Sequence, residues 1–207
     1  MFQIEGMLDA LLKRLATLPA TPHLAQDSDR DLNPDWPLPP QLKPAAVLVP
    51  VLAHAAEPAI LLTLRQPHLS AHAGQVSFPG GRIDPRDESA AAAALREADE
   101  EVGLPPTHVQ PLGFLNTYNT FTGFQVVPLV GLVAQPPRWQ PNEDEVAEII
   151  ELPVSALLAP QAFHVRAFKV PSGQERRTYV LSYNGHDIWG ATAAMLVNLK
   201  DVLSHEN

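Results

Sequence analysis

The 207 residues include no cysteine. Disulfides, thiolate zinc sites, iron–sulfur clusters and a cysteine nucleophile are thereby excluded. Long apolar runs are missing too. The longest uncharged apolar stretch, Thr120 to Gln135, is too short to span a bilayer and is interrupted by Pro128 and Gly131. The first residues have no basic start, and Glu5 precedes any apolar run, so they do not read as a signal peptide. A soluble cytoplasmic protein is expected. Basic residues are the scarcer charge, 14 against 23 acidic ones, and a net charge of −9 repels polyanions. Neither nucleic acid nor a membrane is an expected partner, and oligomeric state is not legible. A phosphate-bearing small molecule would need its charge offset where it meets such a protein, and a divalent cation is the simplest agent.

Hydrophobic residues make up 45% and charged residues 18%, a globular balance. The length suits one domain, expected over residues 1–207. Residues Phe2 to Leu18 place Ile4, Met7, Leu8, Leu11, Leu12 and Leu15 at helical spacing. From Pro19 to Pro44 prolines, including Pro34, Pro37, Pro39 and Pro40, predict an ordered wrap or linker. Strands are predicted at Ala45–Leu52 and Ala59–Leu64, joined by a turn at Ala55-Ala56-Glu57-Pro58. Further strands are predicted at Val109–Tyr118, Phe124–Val133, Val146–Leu152, Phe163–Val170 and Thr178–Tyr183. Helices are predicted at about Ser89–Val102 and Trp189–Leu203. No internal repeat is present. The expectation is an α+β fold, a mixed sheet with helices packed on its faces and an added N-terminal helix.

The helix from Ser89 carries the chemistry. Asp87, Glu88 and Ser89 suit its positive end, Gly103 is a left-handed stop, and Pro105-Pro106 prevents continuation. At about 100° per residue, Ala91, Ala94, Leu95, Ala98 and Val102 share one stripe, and Glu97, Glu100 and Glu101 share the adjoining one. Carboxylates so close repel one another unless a cation offsets them, and Mg²⁺ or Mn²⁺, which prefer oxygen ligands, would do so. A solvated acidic helix face is the alternative, and spacing alone does not separate the two. Upstream, Phe78-Pro79-Gly80-Gly81 offers a tight backbone approach and a carbonyl ligand. Arg96 can orient a carboxylate with its fixed fork of donors, or make an ordinary surface ion pair.

These residues resemble the Nudix box, G-x5-E-x7-R-E-U-x-E-E-x-G-U with U aliphatic. The chain reads Gly81, Glu88 and then Arg96-Glu97-Ala98-Asp99-Glu100-Glu101-Val102-Gly103-Leu104, with six residues rather than five between Gly81 and Glu88. The resemblance implies a Nudix fold with the box over residues 81–104 and the core over 45–204. It also implies Mg²⁺ or Mn²⁺ held by Glu97, Glu100, Glu101 and the Gly81 carbonyl, with water attacking phosphorus in a nucleoside diphosphate derivative.

The run from Leu61 to Gly81 resembles the coenzyme A pyrophosphatase signature LLTxR[SA]x3Rx3Gx3FPGG. Leu61, Leu62, Thr63, Arg65, Gly74 and Phe78-Pro79-Gly80-Gly81 match, while Gln66 replaces a small residue and Ser70 a basic one. The spacing before Glu88 and the segment Ile188-Trp189-Gly190-Ala191-Thr192-Ala193 also look like that subfamily. The subfamily implies cleavage of coenzyme A or its derivatives to 3′,5′-ADP and 4′-phosphopantetheine or its acyl form. Substrate contacts are then expected from Arg65, Gly74, Gln75, Ser77 and Phe78, although each also reads as an ordinary strand or turn residue. Glu97, Glu101 and Glu145 are the general-base candidates, Glu145 on the acidic loop Asn142-Glu143-Asp144-Glu145. Trp189 and Phe163 read as adenine stackers or core. The histidines show no paired metal spacing, and only His72 lies near the proposed site. Another diphosphate substrate such as ADP-ribose, and a non-catalytic binding module on the same fold, are the alternatives. Glu101→Gln is expected to abolish turnover at little cost to folding, Glu101 being read as a solvated acid.

Overall fold

A computed structural model describes residues 2–54, 57–170 and 173–204. Helix α1 spans Phe2–Leu15 and turns Leu11 and Leu15 into the core. It stops short of Leu18, and the side chains of Ile4 and Met7 lie outside the description. The proline-rich segment, predicted as a wrap, contains a strand: β1, His23–Ser28, runs parallel to a later strand through partners such as Ser28 and Asn119. Its pairing depends on residues far along the chain, so no local alternation announces it.

The middle of the fold is the pair β2 (Lys43–Leu52) and β3 (Ala59–Arg65), antiparallel through Val51 and Ile60 as predicted. Ala55 and Ala56 of the predicted turn lie outside the described residues. Short strands β4 (Val76–Ser77) and β5 (Gly80–Arg82) follow and pair with β3 and β2 respectively. Helix α2 spans Ala90–Val102. The predicted Val109–Tyr118 strand is two, β6 (Gln110–Phe114) and β7 (Asn116–Asn119), and both pair with β8 (Phe124–Val133). Strand β8 runs parallel to β2 along its whole length, and β9 (Val146–Pro153) is antiparallel to β3. The described residues thus form a mixed sheet of nine strands. A short helix α3 (Val154–Leu158) leads to a three-stranded antiparallel sheet of β10 (Phe163–Lys169), β11 (Glu175–Tyr183) and β12 (His186–Trp189), then to α4 (Gly190–Ser204).

Strand β2 explains the layering. Its even residues Ala46, Leu48 and Leu52 face a core shared with Ala93, Ala94, Ala98 and Val102 of α2. Its odd residues Ala45, Val49 and Val51 face a second core with Leu11 and Leu15 of α1 and Leu196 and Leu199 of α4. A strand covered on both faces reads as a continuous apolar run. The alanines facing the sheet let the α2 backbone approach closely, which fixes where its acidic residues emerge. Among the described residues no helix is long and apolar enough to cross a membrane.

Candidate active and metal site

Helix α2 is delimited as the sequence predicts. The Ser89 hydroxyl accepts the Ala92 N–H at 3.1 Å, and Gly103 closes the helix at φ 67° with its N–H on the carbonyls of Ala98 and Asp99. The buried stripe is wider than predicted, because Glu101 joins it at 2% exposure. Reading Glu101 as a solvated acid is therefore corrected. Periodicity gives its angle around the helix but not the depth, which is set by Gly80 and by the loop before β9.

One oxygen of Glu101, Oε1, lies 3.5 Å from Arg65 Nη1, and the other, Oε2, is buried with no hydrogen-bond partner. Burial, only partly offset by Arg65, pushes the Glu101 carboxyl up to about 8, and Glu145 and Glu97 add to the rise. Burial likewise raises Glu97 against the opposing pull of Arg96. Glu145 lies on the loop whose Asn142 N–H reaches the Glu101 carbonyl at 2.9 Å, and its charge adds to the rise on both glutamates. Its neighbours Glu143 and Asp144 are exposed, whereas Glu145 is half-buried.

Arg96 gathers the remaining acids. Its Nη1 donates to Glu97 Oε1 at 2.9 Å and to Glu100 Oε2 at 3.0 Å, while Nε and Nη2 grip the two Asp87 oxygens at 2.9 and 3.0 Å. The Asp87 hydrogen bonds are the chief reason the guanidinium is held more firmly charged than usual, and they lower the Asp87 carboxyl in return. Glu88, which the spacing offered as the acid of the box, is exposed. Five residues separate Gly81 from Asp87. Eight residues rather than seven then separate Asp87 from Arg96, so the box is one residue longer than the pattern whichever acid is counted, and the structure gives the contact with Arg96 to Asp87.

Gly81 fits the same site. A Cβ there would lie 2.6 Å from the Glu97 carboxylate, so only glycine lets that group rest on β5. Gly80 is tighter still, 2.5 Å from the Ala46 carbonyl. A carboxylate cradled on bare backbone and a buried carboxylate oxygen lacking a partner both suit a hard cation with oxygen ligands. As they stand, Glu97 and Glu100 face Arg96, and among the described residues no three acidic or imidazole side chains already converge at ligand distances.

The expected substrate residues are divided. Arg65 sits beside Glu101. Gly74 is exposed at φ 66° and donates its N–H to the Arg65 carbonyl at 3.2 Å. Gln75 Oε1 pairs with His72 Nδ1 at 2.9 Å, and Ser77 Oγ lies 3.3 Å from the Thr63 hydroxyl. Phe78 is 2% exposed in the core between the sheet and α4, so its side chain offers a substrate no surface. Phe163 packs against that same core, and Trp189 stands edge-on to Phe168 with centroids 6.3 Å apart.

The NUDIX domain family matches residues 42–170. A relative from Pectobacterium atrosepticum, named uncharacterized Nudix hydrolase NudL, is 46% identical over 169 residues, covering 78% of this chain and 86% of its own length. Its namesake in Salmonella paratyphi B is 42% identical over 156 residues, covering 75% and 80% respectively. A crystal structure of a Nudix hydrolase from M. smegmatis, RenU, aligns with 55% of this chain and 72% of that one, with a TM-score of 0.48 and 24% identity. The chain belongs to the Nudix family.

Proposed function

We propose that this chain hydrolyses the diphosphate bond of coenzyme A or its derivatives, with Mg²⁺ or Mn²⁺, to 3′,5′-ADP and 4′-phosphopantetheine or its acyl form. The observation that carries the hydrolytic reading is the pairing of Glu101 and Glu97. One is buried with an oxygen unpartnered, and the other rests against Gly81, where a Cβ would displace its carboxylate. The ion would be held by Glu97, Glu100, Glu101 and the Gly81 carbonyl, and when bound it supplies charge neutralisation on the phosphate oxygens and a more acidic water. Arg96, fixed by Asp87, orients Glu97 and Glu100. Arg65 presents a cation beside Glu101, and Gly74, Gln75 and Ser77 lie on the segment leading from it to the Gly80-Gly81 pair. Glu145 is the general base tested first, since it is the half-buried acid of a loop hydrogen-bonded to the backbone of Glu101, and its charge acts on both Glu97 and Glu101. Water adds across the P–O–P bridge: its oxygen bonds to one phosphorus, and the bridging oxygen leaves with the other phosphate.

The substrate choice is supported by the match of Leu61-Leu62-Thr63, Arg65, Gly74 and Phe78-Pro79-Gly80-Gly81 to the coenzyme A pyrophosphatase signature. Coenzyme A, ADP-ribose and a dinucleoside polyphosphate are incubated with the protein and Mg²⁺ or Mn²⁺, with and without chelator, and the products are separated. Chelator-sensitive release of 3′,5′-ADP from coenzyme A is the expected result. Coenzyme A left intact while ADP-ribose is cleaved overturns the substrate, and all three left intact overturns the enzyme in favour of a binding module.

A further inference from the structure

Gln66 follows Arg65 at the end of β3 and reaches across to the loop that carries Glu145. Its Nε2 donates to the Glu143 carbonyl at 2.8 Å and the Val146 carbonyl at 3.4 Å, and its backbone N–H donates to the Glu145 carbonyl at 2.9 Å. One residue thus holds three carbonyls of one loop, Glu145's own and those on either side of the Asp144–Glu145 pair. The loop's other side is tied to α2, where Asn142 N–H reaches the Glu101 carbonyl at 2.9 Å and Gln140 N–H the Val102 carbonyl at 3.0 Å. Within the loop, the Asn142 carbonyl accepts the N–H groups of Glu145 and Val146 at 2.9 and 2.8 Å, and its Oδ1 accepts the Asp144 N–H at 3.1 Å. The segment is suspended between the neighbour of Arg65 and Glu101 itself.

We propose that Gln66 is a positioning residue, clamping the Glu143–Val146 loop so that the Glu145 carboxylate stays beside Glu97 and Glu101. The inference rests on the reading of Glu145 as part of the hydrolytic site. Three carboxylates in one neighbourhood repel, and the loop is the element free to yield. A neutral amide resists that displacement with two donors and adds no cation to neutralise the acids, which a lysine would do. A small residue would leave the carbonyls of Glu143 and Val146 to water.

The test compares the full chain with Gln66→Ala, Glu145→Gln and the double variant, using coenzyme A or the diphosphate identified by the substrate panel. Hydrogen exchange of the loop amides and the melting temperature are followed alongside kcat and KM. Gln66→Ala is expected to speed exchange of the Glu145 and Val146 amides while leaving α2 protected. It should lower kcat roughly tenfold at nearly constant KM. The double variant should be no slower than Glu145→Gln alone, because both act through one carboxylate. Parental kcat in Gln66→Ala with Glu145→Gln impaired overturns the clamp and leaves the Glu145 reading standing. Parental kcat in Glu145→Gln overturns that reading and the clamp with it. Additive losses in the double variant, with a lowered melting temperature, assign Gln66 to fold stability alone.

Discussion

Replacing Glu101 by Gln should make the metal-free protein more stable while abolishing turnover. The Glu101 carboxyl is 2% exposed, one of its oxygens has no partner, and burial raises it from 4.5 to about 8. Between those values the folded protein binds more protons than the unfolded chain, so its stability falls as the pH rises through that window. At pH 7 the difference between 4.5 and the ambient pH is about 2.5, which costs roughly 3 kcal/mol. Glutamine removes that cost but leaves a neutral amide group unsatisfied in the place of Oε2, at about 1–2 kcal/mol. The balance is a gain of about 1–2 kcal/mol, or roughly 2–8 °C in melting temperature for a chain of this length. Melting in the presence of chelator between pH 4.5 and 8 is the assay. The advantage of the variant should be largest at pH 8, shrink as the pH falls and reverse near pH 4.5, where the carboxylate cost is gone and that of the unsatisfied amide remains. A variant that melts at or below the parent at pH 8 would show that the carboxylate is not held unpaired away from water.

Gly81→Ala should lower kcat at least roughly tenfold with little change in melting, since its Cβ meets only the movable end of Glu97. Gly80→Ala should behave oppositely in thermal melts and lose more than about 2 kcal/mol, because its Cβ meets the fixed backbone of Ala46 and Val47. Asp87→Ala should slow turnover by roughly tenfold through the released Arg96, whereas Glu88→Ala, at an exposed position, should leave steady-state rates unchanged. Saturating Mn²⁺ at about a hundred times its Kd should raise the parent's melting temperature by roughly 5–10 °C, and that shift should be lost in Glu101→Gln.

How much was legible follows from range along the chain. Central strands β2, β3 and β8 carry continuous apolar runs because both faces are covered, and α2 carries its own cap and stop in Ser89 and Gly103. Those signals are local, and so were Arg96 and Glu97. Strand β1 was not legible because its stability comes from distant groups, such as Asp27 accepting from Asn116 Nδ2 at 3.1 Å, and from Asp29 one residue beyond its end accepting from the Tyr118 hydroxyl at 2.9 Å. Strands β4 and β5, of two and three residues, are too short to show alternation. The burial of Glu101 depends on Gly80 and the loop at residues 140–146, and the role of Gln66 appears only once that loop is in place.

The cluster has a deliberate imbalance. Asp87, Glu97, Glu100, Glu101 and Glu145 supply five carboxylates, and Arg65 and Arg96 supply two cations. Arg96 spends its donors on Asp87, Glu97 and Glu100, and Glu101 meets its guanidinium partner, Arg65, only at 3.5 Å. The deficit therefore falls on the buried end of α2, next to the bare backbone of Gly80 and Gly81. On the proposed reading, one divalent ion brings the group within a single charge of neutrality, and the free energy withheld from Glu101 in the metal-free fold is returned when the ion arrives. Filling the deficit permanently, with a lysine near Glu101, would stabilise the chain and remove the reason for an ion to bind.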